Sequence, residues 1–290
     1  MKNTTFISLL LLLSGLSALL ALHTPSQPEK VVLCHADVEA VRKFALFTNE
    51  VEFRNAHAMT RKLNTQEFMG KRISFDVADG AKGEAYFVPS KKKSNKYLFV
   101  FHEWWGLNDY VRNESDRLSK ELKNVNIIAL DLYDGKVGTT REEASKYMKA
   151  CDPDRAASII SGAQAYVGKD AKIATIGWCF GGGWSLQSAL LLKKQAVGCV
   201  IYYGMPVQDV DRLSQLNCDV LGIFGEQDKW INPKVVAEFE AHMKEADKGL
   251  AVKMYKANHA FANPSSDRYV EADAQNANQE ALIYLKKRLK

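Results

Sequence analysis

Several protein classes are excluded by what this 290-residue chain has little of. Its five cysteines, Cys34, Cys151, Cys179, Cys199 and Cys218, are irregularly spaced and form no CxxC pair, which argues against a disulfide framework and against a structural zinc site. The odd count leaves at least one thiol free, and in an oxidising compartment a free thiol needs a reason. Seven prolines and 18 glycines are too few for a collagenous or low-complexity chain. Neither sign of charge dominates, with 39 basic residues against 34 acidic ones and a net charge of +5. The densest basic run, Lys91, Lys92 and Lys93, has no interleaved aromatics, so it reads as a solvated loop and no nucleic-acid partner is expected. There is no GxGxxG dinucleotide fingerprint and no metal-ligand spacing, so neither a cofactor nor a metal is expected. What is present is ordinary: 47% hydrophobic and 25% charged residues with a mean hydropathy of -0.24, enough to bury a substantial core.

The one long apolar run lies at the N-terminus. Lys2 precedes an uncharged apolar stretch at residues 6–22, and polar residues follow at 23–26. This reads as a signal peptide over residues 1–22, with Ala18 and Ala21 as small residues for a peptidase, so an exported protein, periplasmic or secreted, is expected. The stretch falls just short of the roughly 20 residues of a spanning helix, which leaves an uncleaved N-terminal membrane anchor as the alternative. Cys34 follows the bulky Leu33 and is no lipid-attachment site. Residues 23–70 form a partly helical N-terminal extension whose composition assigns it no role, and residues 71–290 form the main domain.

Within that domain the pattern alternates. Strand-like segments at 73–77 and 84–88 flank the turn signal Asp79-Gly80 and predict a hairpin. Further short apolar strands are expected at 96–101, 126–130, 173–176, 196–202, 220–224 and 251–255. Helical spacing occupies 109–122, 141–149, 155–166, a stretch opening at Gly181, another from Pro233, and 271–289. Short buried strands alternating with helices predict one α/β domain, a mostly parallel sheet with helices on both faces.

The chemistry centres on Gly177-Trp178-Cys179-Phe180-Gly181-Gly182-Gly183, between the strand at 173–176 and a helix. Strand, sharp turn and helix with glycines around a nucleophile is the GxSxG elbow of an α/β-hydrolase fold, here with cysteine in place of serine. The helix N-terminus behind Cys179 favours a thiolate and an oxyanion. An acid and a histidine should follow, each just after a strand: Asp228 follows 220–224 and His259 follows 251–255. Upstream, the strand at 96–101 ends at His102-Glu103-Trp104-Trp105-Gly106, where a second oxyanion N–H is expected. The backbone N–H groups of Trp104 and Phe180 are the candidate donors. Glu103, if inward, needs a partner. Trp104, Trp105, Trp178 and Trp230 are candidates to line an apolar pocket, with core packing as the plainer reading.

From about residue 73 onward the chain resembles the dienelactone hydrolases (carboxymethylenebutenolidases) of the α/β-hydrolase superfamily. The segments that carry the resemblance are His102-Glu103-Trp104-Trp105-Gly106-Leu107-Asn108, Asp131-Leu132-Tyr133, the Cys179 elbow, Gly225-Glu226-Gln227-Asp228 and His259-Ala260-Phe261-Ala262. The resemblance implies Cys179 as nucleophile, His259 as base, Asp228 as orienting acid, and Glu103 as an inward carboxylate that pairs with the resting thiol and takes its proton when substrate binds. It also implies two arginines on a substrate carboxylate. Arg141 corresponds to one of them, whereas Asn263 stands where the other is expected, which weakens the case for dienelactone itself as substrate.

The expectation is a monomeric hydrolase that cleaves a small-molecule carboxylic ester or lactone through a Cys-His-Asp catalytic triad and an acyl-thioester. Two alternatives stand beside it. One is a non-catalytic binding scaffold on the same fold; the other is a redox-active thiol protein, for which Cys151, Cys199 or Cys218 would have to act as resolving partner.

Overall fold

The computed structural model describes residues 35–57 and 67–290; the expected signal at 1–22 lies outside them. Eight strands form one sheet: β1 (Lys71–Asp76), β2 (Lys82–Val88), β3 (Lys96–Phe101), β4 (Asn126–Leu130), β5 (Lys172–Trp178), β6 (Ala196–Tyr202), β7 (Val220–Gly225) and β8 (Leu250–Tyr255), in the order β1-β2-β4-β3-β5-β6-β7-β8. The β1–β2 and β2–β4 pairs are antiparallel and all others parallel. The hairpin joining β1 to β2 turns at Gly80, whose φ of 83° suits glycine, and Asp79 Oδ1 accepts from Ala81 N–H at 3.0 Å.

Helices α1 (His35–Leu46) and α2 (Val51–Asn55) come from the N-terminal extension, which is thus partly helical among its described residues. The others are α3 (Asp109–Leu122), α4 (Arg141–Ala150), α5 (Pro153–Val167), α6 (Phe180–Leu191), α7 (Val210–Leu213), α8 (Pro233–Glu245) and α9 (Glu271–Arg288). Strand β4 lies to one side of β3 and β5 to the other, so right-handed crossovers put α3 on one face and α5 and α6 on the opposite one. Helix α9 packs with α3, and α5 with α6. With both faces covered, β4 and β7 are buried along their whole length, which explains their apolar sequences, broken only by the hydrogen-bonded Asn126 at the start of β4. Among the described residues no helix is long and apolar enough to cross a membrane.

Most expected elements form with their expected bounds, give or take one to three residues at an end. The sequence reading missed α7, a single turn started by Asp209, which accepts from Arg212 N–H at 3.0 Å; one turn is too short to show a period. Caps set several starts. Asn108 Oδ1 accepts from Tyr110 and Val111 N–H at the start of α3, a cap worth about 1 kcal/mol.

The winding direction reverses between β3 and β5, and their carboxyl ends open there into the crevice where ligands bind in such sheets. Helix α6 is wedged against this point. A Cβ on Gly181 would lie 2.3 Å from the Phe101 carbonyl oxygen at the end of β3, and one on Gly177 would lie 2.0 Å from the Gly181 carbonyl oxygen. Neither neighbour is a flexible side chain. Gly181→Ala is therefore expected to destabilise the fold by about 3 kcal/mol or more, the upper end of overpacking costs. A denaturant melt checks this, and an unchanged midpoint would mean that α6 is free to shift away from β3.

Candidate active site

Cys179 is the first residue after β5 and the cap of α6, with φ 56° and ψ -119°. A non-glycine residue in that region carries strain of about 1–3 kcal/mol. The backbone is held there by Cys179 N–H donating to Tyr202 O at 2.9 Å and Gly182 N–H donating to Cys179 O at 3.0 Å. The result aims the side chain off the carboxyl end of the sheet.

Asp228 follows β7 and is no surface turn residue: its side chain is fully buried. Oδ1 accepts from Trp230 and Ile231 N–H at 2.8 and 2.9 Å, and Oδ2 faces His259 Nδ1 at 2.6 Å. Burial pushes this carboxyl up, but His259 and the two backbone donors outweigh it and hold its pKa below the usual value. Because Asp228 is ionised, Nδ1 of His259 carries a proton. His259 Nε2, also buried, has no hydrogen-bond partner among the described residues.

Glu103, just beyond β3, is buried. It accepts from Tyr203 Oη at 3.4 Å and from the Asn263 amide. Burial raises its pKa to about 7, opposed by His259, Asn263 and Tyr203. The turn before it is fixed by His102, whose Nδ1 contacts Glu103 O at 2.7 Å while Nε2 accepts from Leu132 N–H at 3.2 Å. That bond ties the end of β3 to the Asp131-Leu132-Tyr133 segment. The backbone N–H groups of Phe180 and Trp104, the expected oxyanion donors, both hydrogen-bond toward the Cys179 sulfur. They lower the thiol's pKa, but burial first and the Glu103 charge second push it well above its ordinary value. The resting sulfur is a thiol.

The resting thiol's partner differs from the one the resemblance implies. Cys179 Sγ lies 3.7 Å from Nε2 of His57, and no hydrogen bond joins it to Glu103, whose oxygens are taken by Tyr203 and Asn263. His57 closes the N-terminal extension over the site. Its Nδ1 donates to Phe53 O at 2.7 Å, and its ring lies 4.6 Å from that of Trp104 and 5.3 Å from that of His259. Burial, then the nearby His259, lower its pKa to about 3, so His57 is neutral. Phe53, fully buried, packs on Trp104, Trp230 and His259. The segment is also anchored at its rim: Trp230 Nε1 donates to Glu50 at 3.0 Å, and Lys229 pairs with Glu52. Beneath this cover Cys179 is 0% exposed.

Arg141, the expected substrate-carboxylate contact, donates from Nε to His57 O at 2.7 Å, so it holds the N-terminal segment in this arrangement. The four tryptophans divide. Trp105 and Trp178 line a cavity of about 250 Å³ together with Glu103, Tyr110, Asn263 and Tyr269. Trp104 and Trp230 pack on the N-terminal segment instead. Cys151, Cys179, Cys199 and Cys218 are free thiols. Sequence spacing predicted no metal site, yet a ring nitrogen of His57, one of His259 and Cys179 Sγ lie within 4.8 Å of one another. His57 was missed as a site residue because it stands far from every motif and has no flanking signal.

A profile of the dienelactone hydrolase family matches residues 84–289, well over half of the chain. The chain belongs to that family. As a member it is a carboxylic ester or lactone hydrolase, and a purely non-catalytic scaffold is set aside. It is 26% identical over 239 residues to a protein of Aquifex aeolicus provisionally named a carboxymethylenebutenolidase, covering 77% of this chain and 100% of the relative. It is 25% identical over 201 residues to a Bradyrhizobium protein provisionally named a 2-oxo-3-(5-oxofuran-2-ylidene)propanoate lactonase, covering 62% and 79%. In fold it is similar to a Klebsiella pneumoniae protein provisionally described as a dienelactone hydrolase, with a TM-score of 0.66 and 20% identity over 76% of this chain and 99% of the other. The family match begins after α1 and α2, so the segment that covers the site lies outside it.

If Phe53 holds that cover down, Phe53→Ala removes a buried side chain worth about 3 kcal/mol or more. Alkylation of Cys179 by iodoacetamide, followed by mass spectrometry, should then accelerate about 100-fold, the equivalent of that loss. Residues 35–57 should become protease-sensitive at the same time. An unchanged alkylation rate would mean that reagents reach the sulfur from the Glu103 side.

Proposed function

We propose that this hydrolase works by covalent acyl transfer through Cys179, with His259 as general base and Asp228 as the acid that orients it. The observation that carries the reading is the Asp228–His259 pair at 2.6 Å, which leaves a bare His259 Nε2 close to a sulfur held at a strained elbow. When substrate enters, Glu103 or His259 takes the thiol proton and the thiolate attacks the ester carbonyl. Trp104 and Phe180 N–H hold the oxyanion, and the leaving alkoxide is protonated as the thioester forms. His259 then activates a water that releases the acid and restores the thiol. In a lactone the leaving alcohol stays attached to the acyl chain throughout, and hydrolysis of the thioester releases a single hydroxy acid.

The substrate proposed is a small ester or lactone without a strong demand for anion recognition. Arg141 is engaged by His57 O, and Asn263 spends its amide on Glu103, so these two positions offer no pair of guanidinium groups to a carboxylate. The Bradyrhizobium relative's named substrate, a lactone, fits the class but carries a carboxylate. The cavity beside Glu103 has the volume for a small acyl or alcohol group. With Cys179 fully covered, turnover also requires residues 53–57 to move aside. Export, with residues 1–22 as signal or anchor ahead of an extension over 23–70 and a catalytic domain over 71–290, and a monomeric state belong to the same proposal. The apolar run at 6–22 supports the export reading, and the start of the sheet at Lys71 supports the domain boundary.

Three variants test the chemistry on a short p-nitrophenyl ester. Cys179→Ala should abolish hydrolysis. Asp228→Asn should lower kcat about 10²- to 10⁴-fold, the range over which misoriented bases lose catalysis. His259→Ala should accumulate an acyl adduct on Cys179 visible by intact mass. Retention of full activity in Cys179→Ala would sink the proposal. A dienelactone measured side by side should be the poorer substrate, and the better one would show that Arg141 suffices as its anion contact.

A further inference from the structure

Three side chains with metal-binding atoms meet at one point, drawn from elements far apart in sequence. Cys179 comes from the elbow after β5, His259 from the loop after β8, and His57 from the end of the N-terminal helical segment. All three are buried, and the ligating atoms lie within 4.8 Å of one another.

The hydrogen bonds around them select the atoms a metal needs. His57 Nδ1 donates to a backbone carbonyl, Phe53 O at 2.7 Å, and His259 Nδ1 donates to the Asp228 carboxylate at 2.6 Å. Each bond fixes the tautomer that leaves Nε2 as a lone pair. This is the second-sphere arrangement, imidazole backed by carbonyl or carboxylate, that orients and strengthens histidine ligands. The His259 Nε2 lone pair is buried and has no hydrogen-bond partner among the described residues, so it is a donor atom waiting for an acceptor of its electrons.

One edge of the cluster has the length a bound ion needs, and the others, within 4.8 Å, would close further around it. Zn²⁺ takes Cys sulfur at about 2.3 Å and His nitrogen at about 2.0–2.1 Å in tetrahedral geometry, which sets a sulfur-to-nitrogen edge of about 3.6 Å. Cys179 Sγ and His57 Nε2 are 3.7 Å apart. One thiolate with two imidazoles suits Zn²⁺ and its neighbours in the first transition row, and leaves a fourth position open.

We infer that His57, Cys179 and His259 form a binding site for a zinc-like divalent cation, which fastens the N-terminal segment to the catalytic sheet and keeps the enzyme closed. Binding displaces the thiol proton to solvent and occupies two atoms that hydrolysis needs. The inhibitory consequence rests on Cys179 being the nucleophile and His259 the base. The binding itself does not.

The test uses the full mature chain stripped of metal with a chelator and titrated with Co²⁺, then with Zn²⁺ in competition. One equivalent of Co²⁺ should give a thiolate-to-metal charge-transfer band in the near ultraviolet, and Zn²⁺ should displace it. Cys179→Ser should lose the band. His57→Gln should weaken binding by at least about 10- to 100-fold, since changes even beyond the direct ligands cost that much. Circular dichroism establishes that both variants are folded, and if His57→Gln is not, Cys179→Ser and the competition titration still decide. No band in the wild-type chain, or a band that persists undiminished in folded His57→Gln, would overturn the inference. In a parallel assay Zn²⁺ should inhibit ester hydrolysis reversibly. A chain that binds Co²⁺ through its thiolate but hydrolyses no ester would overturn the catalytic reading and leave the metal site standing.

Discussion

Backbone meets backbone where the first turn of α6 rests on the ends of β3 and β5, and the rest of the site depends on that contact. Glycine at 177 and 181 lets the chains approach closer than any Cβ allows. The approach forces Cys179 into a positive-φ conformation and brings the Phe180 and Trp104 N–H groups to the same sulfur. The strain of about 1–3 kcal/mol is carried by a buried sheet whose neighbouring strands leave the elbow no room to relax. The geometry of the Cys179 sulfur and that of the two N–H groups facing it are therefore one feature.

The charges around that elbow are held in unequal ways. Asp228 is supplied with two backbone donors and an imidazole, enough to keep a buried carboxylate ionised. Glu103 has a long hydrogen bond from Tyr203 and one amide, and burial raises it to about 7. The thiol is raised further, chiefly by the absence of water. Uncovering the site would readmit water, remove much of that desolvation and make the thiolate easier to form. One motion would thus both expose the Cys179 sulfur and favour its thiolate.

Residues 35–57 supply the cover through a combination the catalytic sheet lacks on its own. Phe53 fills the space between Trp104 and Trp230, His57 faces the sulfur, and Arg141 holds the carbonyl of His57. An arginine aligned with substrate recognition in the family resemblance is here bound to the chain itself, so ligand and cover would compete for it. Trp178 and Trp105, on the other side, face an open cavity and keep a path for a small apolar group.

Local patterns made much of this readable. Strands β3, β4 and β6 are apolar runs bounded by turns, and the Cys179 elbow, Asp228 and His259 each sit one short loop beyond a strand, so position along the chain already implied position at one end of the sheet. The sequence by itself determined the fold class and the order of Cys179, Asp228 and His259 at strand ends, because hydrophobic period, glycine placement and strand ends are local properties. Only the tertiary structure decided that Glu103 is held by Tyr203 and Asn263, that Arg141 binds the extension, and that His57 lies on the sulfur. Those contacts join residues up to 160 positions apart in the case of Asn263 and Glu103, and 122 in the case of Cys179 and His57. No local period encodes a contact of that span, which arises only when separate surfaces pack together and bury the groups that meet.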